Sequence, residues 1–598
     1  MSTLTQFMEA ARSDRPVYIS EVRDAFQREG TRPFHFHVTL YDDSVRRFAL
    51  KAPRCEGAEE SAFVASFLNA MLYNALSSLG AKRIDVYIDG KDAPLAAWAK
   101  GLDEAFQVSL PLAERSGYGK CLNVNQRTLA ALCGPEVRFA FRLSDIADEP
   151  EVPEPHPAPT AIPVFAALPE RAKRGMLMGM DIGGTDVKLV AALDGRLVAF
   201  KEYDWNPAAC ALAEQLIEPL CLLTRLMRAA VCMEASGMGD RVAAQVFDRA
   251  ATDGEMASAV TEMEALLGDR LRGFDGIGLC FPDVVIRNRI IGGETPKTYG
   301  MRMNTAMDYE AQFGKITNLC DVLKAYATPE GVVMNTNDGP MAAFTTAVEQ
   351  AAAGTDLSDG FFAHTLGTDL GTGWILPDGS IPEIPLEIYS LIIDLGSFDQ
   401  RRFPAPDVRS INNVNTGLPG TLQKYTSQSG VFRLAANSLP DAAPKVFQGA
   451  LDRGLFVKED ERLIVPTSPK DMRKPCLEYF MREAERRDSK CADIFRQIGE
   501  YLAVTWRETE YLLRPACKQR TLFGRLVKTP ACFDLMCEGA RRIVPDIEQA
   551  VADEGLANTG LMKQLAAHPV YTVAQFAQAV GAVYYACVGL LQAPSSRS

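Results

Sequence analysis

The residues with the clearest capacity for chemistry are Asp181-Ile182-Gly183-Gly184-Thr185. A short apolar run, Met176 to Met180, leads into them, and the strand-like Val187 to Leu193 follows, so the two glycines fall in a hairpin. Lacking Cβ atoms, paired glycines let backbone amides approach a phosphate closely, while the carboxylate ahead of them can hold magnesium through water. A plain glycine hairpin turn is the bland alternative. A dinucleotide loop fits less well, because its glycine turn opens a helix with GxGxxG spacing, and neither condition holds here. Further along, Asn337-Asp338-Gly339 offers a second carboxylate, in a string that also reads as a simple turn.

Four short strings in succession resemble the ASKHA superfamily of acetate and sugar kinases, heat-shock 70 proteins and actin, and most closely its hexokinase and ROK branch. Asp181 to Thr185 matches the first phosphate motif, DxGGT. Gly276-Ile277-Gly278-Leu279-Cys280-Phe281-Pro282-Asp283 is similar to the GIGxPGPxD stretch that leads into the sugar cleft, departing from it where Phe281 replaces the second glycine. Asn335 to Ala343 is similar to the NDANAAA segment, whose Asp is the catalytic base of that family. His364 to Trp374 resembles the second phosphate motif, with Asp369 where the family has Gly.

The resemblance implies an α/β, two-lobed RNase-H-like (actin-like ATPase) fold preceded by a small α/β N-terminal domain, with ATP and Mg2+ as cofactors. Asp181, Gly183, Gly184, Thr185, Lys188, Gly367, Thr368, Gly371, Thr372, Gly373 and Gly524 are then the nucleotide-binding candidates, and Asp181 the magnesium ligand, through water. A buried acid so close to phosphate would repel it unless Asp369 points away or binds magnesium. Asp338 is the implied general base: a sugar hydroxyl is a poor nucleophile, and a carboxylate within hydrogen-bond reach can take its proton as the γ-phosphate transfers. Pro282, Asp283, Asn337 and Asp338 are the substrate-side candidates, together with Glu383 or Glu387, one of which would stand for the family's sugar-binding Glu. Either glutamate also reads as a solvated strand carboxylate.

Two family features are absent or thin. No cysteine lies between Cys320 and Cys476, which excludes the ROK zinc segment; the amides of Ser410 to Gly417 in that region could read hydroxyls or cap a loop. Of the adenosine motif only Gly524 is present, and the adjacent Arg525 could serve adenine or phosphate but fits a surface ion pair better. The whole implies an ATP-dependent phosphotransferase acting on a hydroxyl of a sugar (hexose, N-acetylhexosamine or related polyol). Two other readings stay open: a non-catalytic sugar- or nucleotide-sensing protein that kept the cleft, and a carboxylate kinase of the acetate-kinase type, which would need no base.

The elements that must position these groups fall into four stretches. Residues 1–146 read as a small α/β domain, with paired strands at Phe34 to Tyr41 and Val45 to Ala52, a helix from Glu59 to Leu79 stopped by Gly80, and strands at Arg83 to Asp89 and Val137 to Leu143. Prolines among Glu and Ala mark 147–175 as a linker. Residues 176–337 form the first lobe, a meander continued through the turn Asp194-Gly195. Residues 338–598 form the second, with helices at Cys532 to Arg542 and Phe576 to Leu591, the last returning to the first lobe.

At 598 residues the chain exceeds a single core. Its 47% hydrophobic and 23% charged content fits a folded globular protein. A formal net charge of -13 without a basic stripe argues against a nucleic-acid partner. Met1 to Asp14 has no signal-peptide core, and Ala579 to Leu591 falls short of the roughly 20 apolar residues a spanning helix needs. The expectation is therefore a cytoplasmic protein with no membrane partner, a small-molecule sugar or polyol substrate, and a homodimer allowed. The 14 cysteines lack CxxC spacing and read as reduced, mostly buried thiols.

Overall fold

The computed structural model describes residues 3–152, 164–293, 295–398, 403–404, 406–553 and 555–592. Most of the proline-rich stretch, 153–163, lies outside them. The chain divides into two compact units, one of Met1–His156, Ala363–Thr372 and Ile384–Val551, the other of Pro157–Phe362, Gly373–Glu383 and Ala552–Ser598.

The first unit opens with a four-stranded sheet, β1 (Arg32–Thr39), β2 (Val45–Ala52), β3 (Arg83–Ile88) and β4 (Ala140–Asp145), in the order β2-β1-β3-β4. β1 and β2 join through Asp42-Asp43-Ser44, where Asp43 takes φ 69° and the Asp42 carboxylate accepts from the Ser44 amide at 3.0 Å. Helix Ala58–Leu79 ends at Gly80, whose φ of 65° suits a residue without Cβ. Helices Thr3–Arg12, Ile19–Glu29 and Cys121–Cys133 were not expected from the sequence.

These N-terminal residues do not form a unit of their own. Ile19 N donates to Ile393 O at 3.0 Å, Leu395 N to Val17 O at 2.8 Å, and the Asn74 amide exchanges hydrogen bonds of 2.9 and 2.8 Å with the Ile392 backbone. Arg23 makes a buried ion pair with Glu508 and lies 4.0 Å over the Tyr511 ring. Backbone groups of Ile392, Ile393 and Leu395 find partners in Asn74, Ile19 and Val17, so the sequence-based boundary at 146 marks a change of composition and not a change of core.

The second unit is built on β5 (Met176–Ile182), β6 (Asp186–Leu193), β7 (Arg196–Asp204), β8 (Phe274–Phe281) and β11 (Ala327–Asn337), with a small hairpin, β9 (Val285–Ile286) and β10 (Arg289–Ile290), after β8. The sheet order is β11-β8-β5-β6-β7; β5, β6 and β7 form an antiparallel meander, while β8 and β11 run parallel to β5. This is the ribonuclease-H strand order. Met176, Leu177, Met178 and Met180 on the central strand are fully buried, as a strand covered on both faces requires. Helix Val573–Gln592 covers one face. It comes so close that a Cβ on Gly179 or Gly278 would stand 1.8 Å from the carbonyl oxygens of Ala579 or Ala582.

That helix is longer than its sequence run suggested. With Ala58–Leu79 it is one of two described helices long and apolar enough to cross a membrane, and most of each is buried inside its own unit. A further difference is helix Val164–Arg171 within the expected linker, which sets Phe165 against Phe344 in the second unit. The expected first lobe also stops too soon at 337, because helix Asp338–Ala352 belongs to this unit.

The first unit is completed by β12 (Phe361–Leu366), β13 (Leu370–Ile375), the hairpin β14 (Val457–Glu459) and β15 (Arg462–Ile464), β16 (Arg520–Phe523) and β17 (Gln549–Val551). Its second sheet runs β13-β12-β16-β17, with β12, β16 and β17 parallel. It repeats the strand order of the other unit without the third meander strand.

Candidate functional site

In the second unit the register of three neighbouring strands sets the site. Asp181 on β5 stands opposite Cys280 on β8, and Cys280 opposite Thr336 on β11, so Asp181 and the Asn337-Asp338 step meet at the carboxyl ends of parallel strands. Open α/β sheets bind ligands at that end. The Cys280 thiol lies 3.2 Å from Asp181 Oδ1 as donor, and burial with both carboxylates nearby pushes its pKa well up. Burial, Asp338 and Asp186 in turn raise the Asp181 carboxyl to about 6, against the pull of Cys280 and Lys188.

The glycine hairpin is held from behind. Gly183 N donates to Asp186 O at 2.8 Å, and the Trp205 indole and backbone amides donate to Gly183 O and Thr185 O at 3.0 and 3.1 Å. A Cβ on Gly183 would sit 2.7 Å from Asp186 O. Gly184 and Thr185 stay exposed, open to a ligand. Lys188, expected to bind the nucleotide, instead pairs with Asp186 at 2.6 Å.

Asp338 opens helix Asp338–Ala352, capped by the Asn337 side chain accepting from Gly339 N at 2.9 Å. Its own Oδ1 also accepts from Gly339 N at 2.9 Å. The carboxylate reaches solvent although protein crowds it; that crowding raises its pKa, and Lys297 and the Gly339 amide oppose the rise.

Lys297 is the residue that the sequence reading missed. It sits in a turn, Pro296–Thr298, capped by Thr295, and a Cβ on Gly184 would lie 3.1 Å from its Cε and 3.9 Å from its Nζ. Lys297 thus lies beside the glycine hairpin and acts electrostatically on Asp338. The only signal in the sequence was its place shortly after the Pro282-Asp283 string. Asp283 holds the chain leading there: buried, it accepts from Val284 N and Gly293 N, both at 2.8 Å, while its carbonyl accepts from Asn337 Nδ2 at 2.6 Å. Pro282 is buried as well. Both residues position the loop, and their side chains face protein where substrate contact was expected.

The second glycine string belongs mainly to the first unit. Gly367 N donates to Asp369 O at 3.2 Å, closing the β12–β13 turn, and Gln428 N donates to Gly367 O at 3.1 Å. Thr368 is exposed and Gly371 partly so. Thr372 points inward, its hydroxyl 3.0 Å from His364 Nδ1, and burial together with Arg520 lowers the His364 pKa to about 3, so the ring stays neutral. The Thr372 hydroxyl is therefore a structural group. Gly524 takes φ 98° at the end of β16, where a Cβ would lie 2.5 Å from Leu366 O; Arg525 beside it pairs with Glu478. Gly373, on the second unit's side of the division, packs on the first turn of the Asp338 helix, 2.8 Å from Gly339 O to a built Cβ.

The two candidate glutamates separate. Glu383, in the second unit, forms a half-exposed ion pair of 2.5 Å with Arg287. Glu387, in the first, donates its backbone amide to Ser77 O at 3.0 Å and bonds Tyr389 through its side chain. Asn413 caps its own loop, accepting from the amides of Asn415 and Thr416 at 2.8 and 3.0 Å.

Magnesium suits the donor set at Asp181. It takes oxygen ligands, keeps most of its water and needs one or two carboxylates plus substrate phosphates. Among the described residues no group of three or more His, Cys, Asp or Glu side chains could enclose a metal.

No protein-family model matches the chain. No curated protein matches it either. Solved structures of similar chain course include a ROK hexokinase from Thermus thermophilus (15% identity, TM-score 0.38, covering 70% of this chain and 99% of that one). Others are a ROK family glucokinase from Streptomyces griseus in complex with glucose and AMPPNP (15%, 0.35, 69% and 99%) and a glucokinase from Balamuthia mandrillaris in complex with glucose (12%, 0.37, 71% and 98%). At such identities the strand orders carry the assignment. Each unit holds a ribonuclease-H-like sheet, the α/β arrangement of the actin-like ATPase fold, with an additional N-terminal sheet in the first unit.

Proposed function

We propose that the protein is an ATP-dependent kinase that transfers the γ-phosphate to a hydroxyl of a sugar or related polyol, with Asp338 as general base. The observation that carries this reading is the shared position of Lys297, beside the Gly183-Gly184 hairpin and within electrostatic reach of an exposed Asp338. A carboxylate with raised pKa accepts a proton more readily, and an adjacent ammonium keeps it ionised in the resting enzyme.

The acceptor hydroxyl donates its hydrogen bond to Asp338. As its oxygen bonds to the γ-phosphorus, the bond from that phosphorus to the β,γ-bridging oxygen breaks, the proton passes to Asp338, and ADP leaves. Charge on the equatorial oxygens meets the Lys297 ammonium and the amides of Gly184 and Thr185. Asp181 would hold magnesium, through water, and the metal would supply neutralisation of phosphate charge.

The test is ADP release by the purified protein with magnesium across hexoses, N-acetylhexosamines and polyols. One acceptor is expected to stimulate turnover, and Asp338→Asn to lower kcat by about 10²- to 10⁴-fold with the fold intact. Lys297→Met is expected to lower kcat on the same acceptor by roughly 10²-fold or more while acceptor binding survives. Equal rates for wild type and both variants would refute the assignment. Full activity of Asp338→Asn on an organic acid would instead identify a carboxylate kinase.

A further inference from the structure

Eleven large apolar side chains are exposed among the described residues, and three of them, Tyr299 (54%), Met303 (61%) and Met307 (43%), fall in one short stretch of the second unit. Scattered singly, such side chains need no explanation; gathered together, they mark a surface that meets something. The stretch begins just after Lys297, and its backbone is fixed. The Tyr309 hydroxyl and Arg302 Nη1 donate to Gly293 O at 2.6 and 3.1 Å, and Asn304 Nδ2 donates to Ala211 O at 3.0 Å. Gly300 lies so close to the segment after Trp205 that a Cβ there would stand 2.5 Å from Cys210 O, and Trp205 in turn holds Gly183. Helix Tyr299–Met303 turns Met301 inward and leaves Tyr299 and Met303, one turn apart, outside. The frame that brings Lys297 to the glycine hairpin therefore also presents this apolar surface.

The polar side chains expected to read an acceptor in this unit are already engaged. Asn337 accepts from Gly339 N with its oxygen and donates to Asp283 O with its amide. The Asp283 carboxylate holds Val284 N and Gly293 N, and Glu383 pairs with Arg287. Asp338 and Lys297 are left for the reacting hydroxyl and the phosphate. Beyond them the same segment offers an aromatic ring and two thioethers. A rigid ring and adaptable Met side chains pack well on a flat apolar group and carry no charge that would need a partner.

We propose that Tyr299, Met303 and Met307 form an apolar platform for the acceptor, and that the acceptor class is a sugar or polyol bearing an aryl or comparably flat apolar substituent. Calling that ligand an acceptor rests on the kinase reading; its apolar substituent is argued from the platform alone. The hydroxyl to be phosphorylated meets Asp338, and the substituent lies on the surface that follows Lys297. Selectivity then comes chiefly from the substituent, and the pattern of sugar hydroxyls counts for less.

Phenyl glycosides of hexoses and N-acetylhexosamines, and the matching free sugars, titrated calorimetrically into the full chain without nucleotide or metal, test this. At least one phenyl glycoside is expected to bind about tenfold more tightly than its free sugar. Tyr299→Ala and Met303→Ala should each cut that preference to about threefold or less; both side chains are exposed, so the fold should stand, and circular dichroism checks it. Absence of binding by every phenyl glycoside, absence of a preference, or a preference that both variants keep would overturn the proposal. So would a wild-type dimer that the two substitutions dissociate, since the surface would then belong to a second copy of the chain. A preference lost in both variants, with no ADP formed on any acceptor, would leave the platform as a ligand site and remove the kinase reading; ADP formation on free sugars with no preference for their phenyl glycosides would do the reverse.

Discussion

Asp181 shows how one residue ties the site to the stability of the fold. Its carboxyl is raised to about 6 chiefly by burial, with Asp338 and Asp186 adding to the rise. A raised folded-state pKa means that the protonated form suits the folded chain better than the ionised form. The stabilisation this brings is fully present below the ordinary carboxylate range and is lost as pH rises from about 4 through about 6. In metal-free protein, Asp181→Asn should therefore be nearly neutral at pH 4.5 and more stable than wild type at pH 7.5, by roughly 2 kcal/mol. Thermal melts of the two proteins across that range provide the measurement; a difference independent of pH would mean that Asp181 does not titrate there. Bound magnesium should reverse the sign at pH 7.5, since it favours the ionised carboxylate in wild type alone.

At the scale of elements, the site depends on how closely helix Val573–Gln592 lies on the β5–β8 pair. Gly179 and Gly278 permit that approach, since any Cβ there would enter the helix backbone. Gly278→Ala forces a rigid carbonyl to move, and overpacking of this kind costs about 1 to 3 kcal/mol. Denaturant melts are expected to report that loss, and, because β8 carries Cys280 and leads into Asp283 and Lys297, kcat should fall in the surviving folded fraction. Wild-type stability in Gly278→Ala would show that the sheet and helix can part without cost. The same strand explains why Asp283 acts at a distance: its carboxylate ties the loop after β8 to the Gly292-Gly293 turn, and that loop delivers the lysine.

For the whole molecule, the consequence concerns the N-terminal residues. Deleting residues 1–163 would expose Ile392, Ile393 and Leu395 and strand the Glu508 carboxylate, whose partner is Arg23. Removing one member of a buried ion pair alone costs about 3 to 5 kcal/mol, comparable with the net stability of many domains. The truncated chain is expected to lose its near-ultraviolet circular dichroism and cooperative unfolding, while Arg23→Met in the full chain is destabilised and still folds. A truncated protein with a native spectrum and a sharp melt would make the N-terminal sheet a removable attachment.

Much of the site was already written in the order of its residues. The DIGGT hairpin, the turn at Asp194-Gly195 and the helix stop at Gly80 follow from backbone rules that act over a few residues, and the meander they predict is present. Asp338 was identifiable as a candidate because its string falls in a fixed succession with the others. Lys297 was not, since its meaning comes from lying beside Gly184, over a hundred positions earlier, and no local pattern encodes that proximity. Lys188 and Thr372 stood in the right strings, yet their side chains found partners in Asp186 and His364 that only packing could supply. The linker composition marked where the chain leaves its first sheet but not where the core divides, because unit boundaries depend on which distant segments satisfy each other's backbone groups.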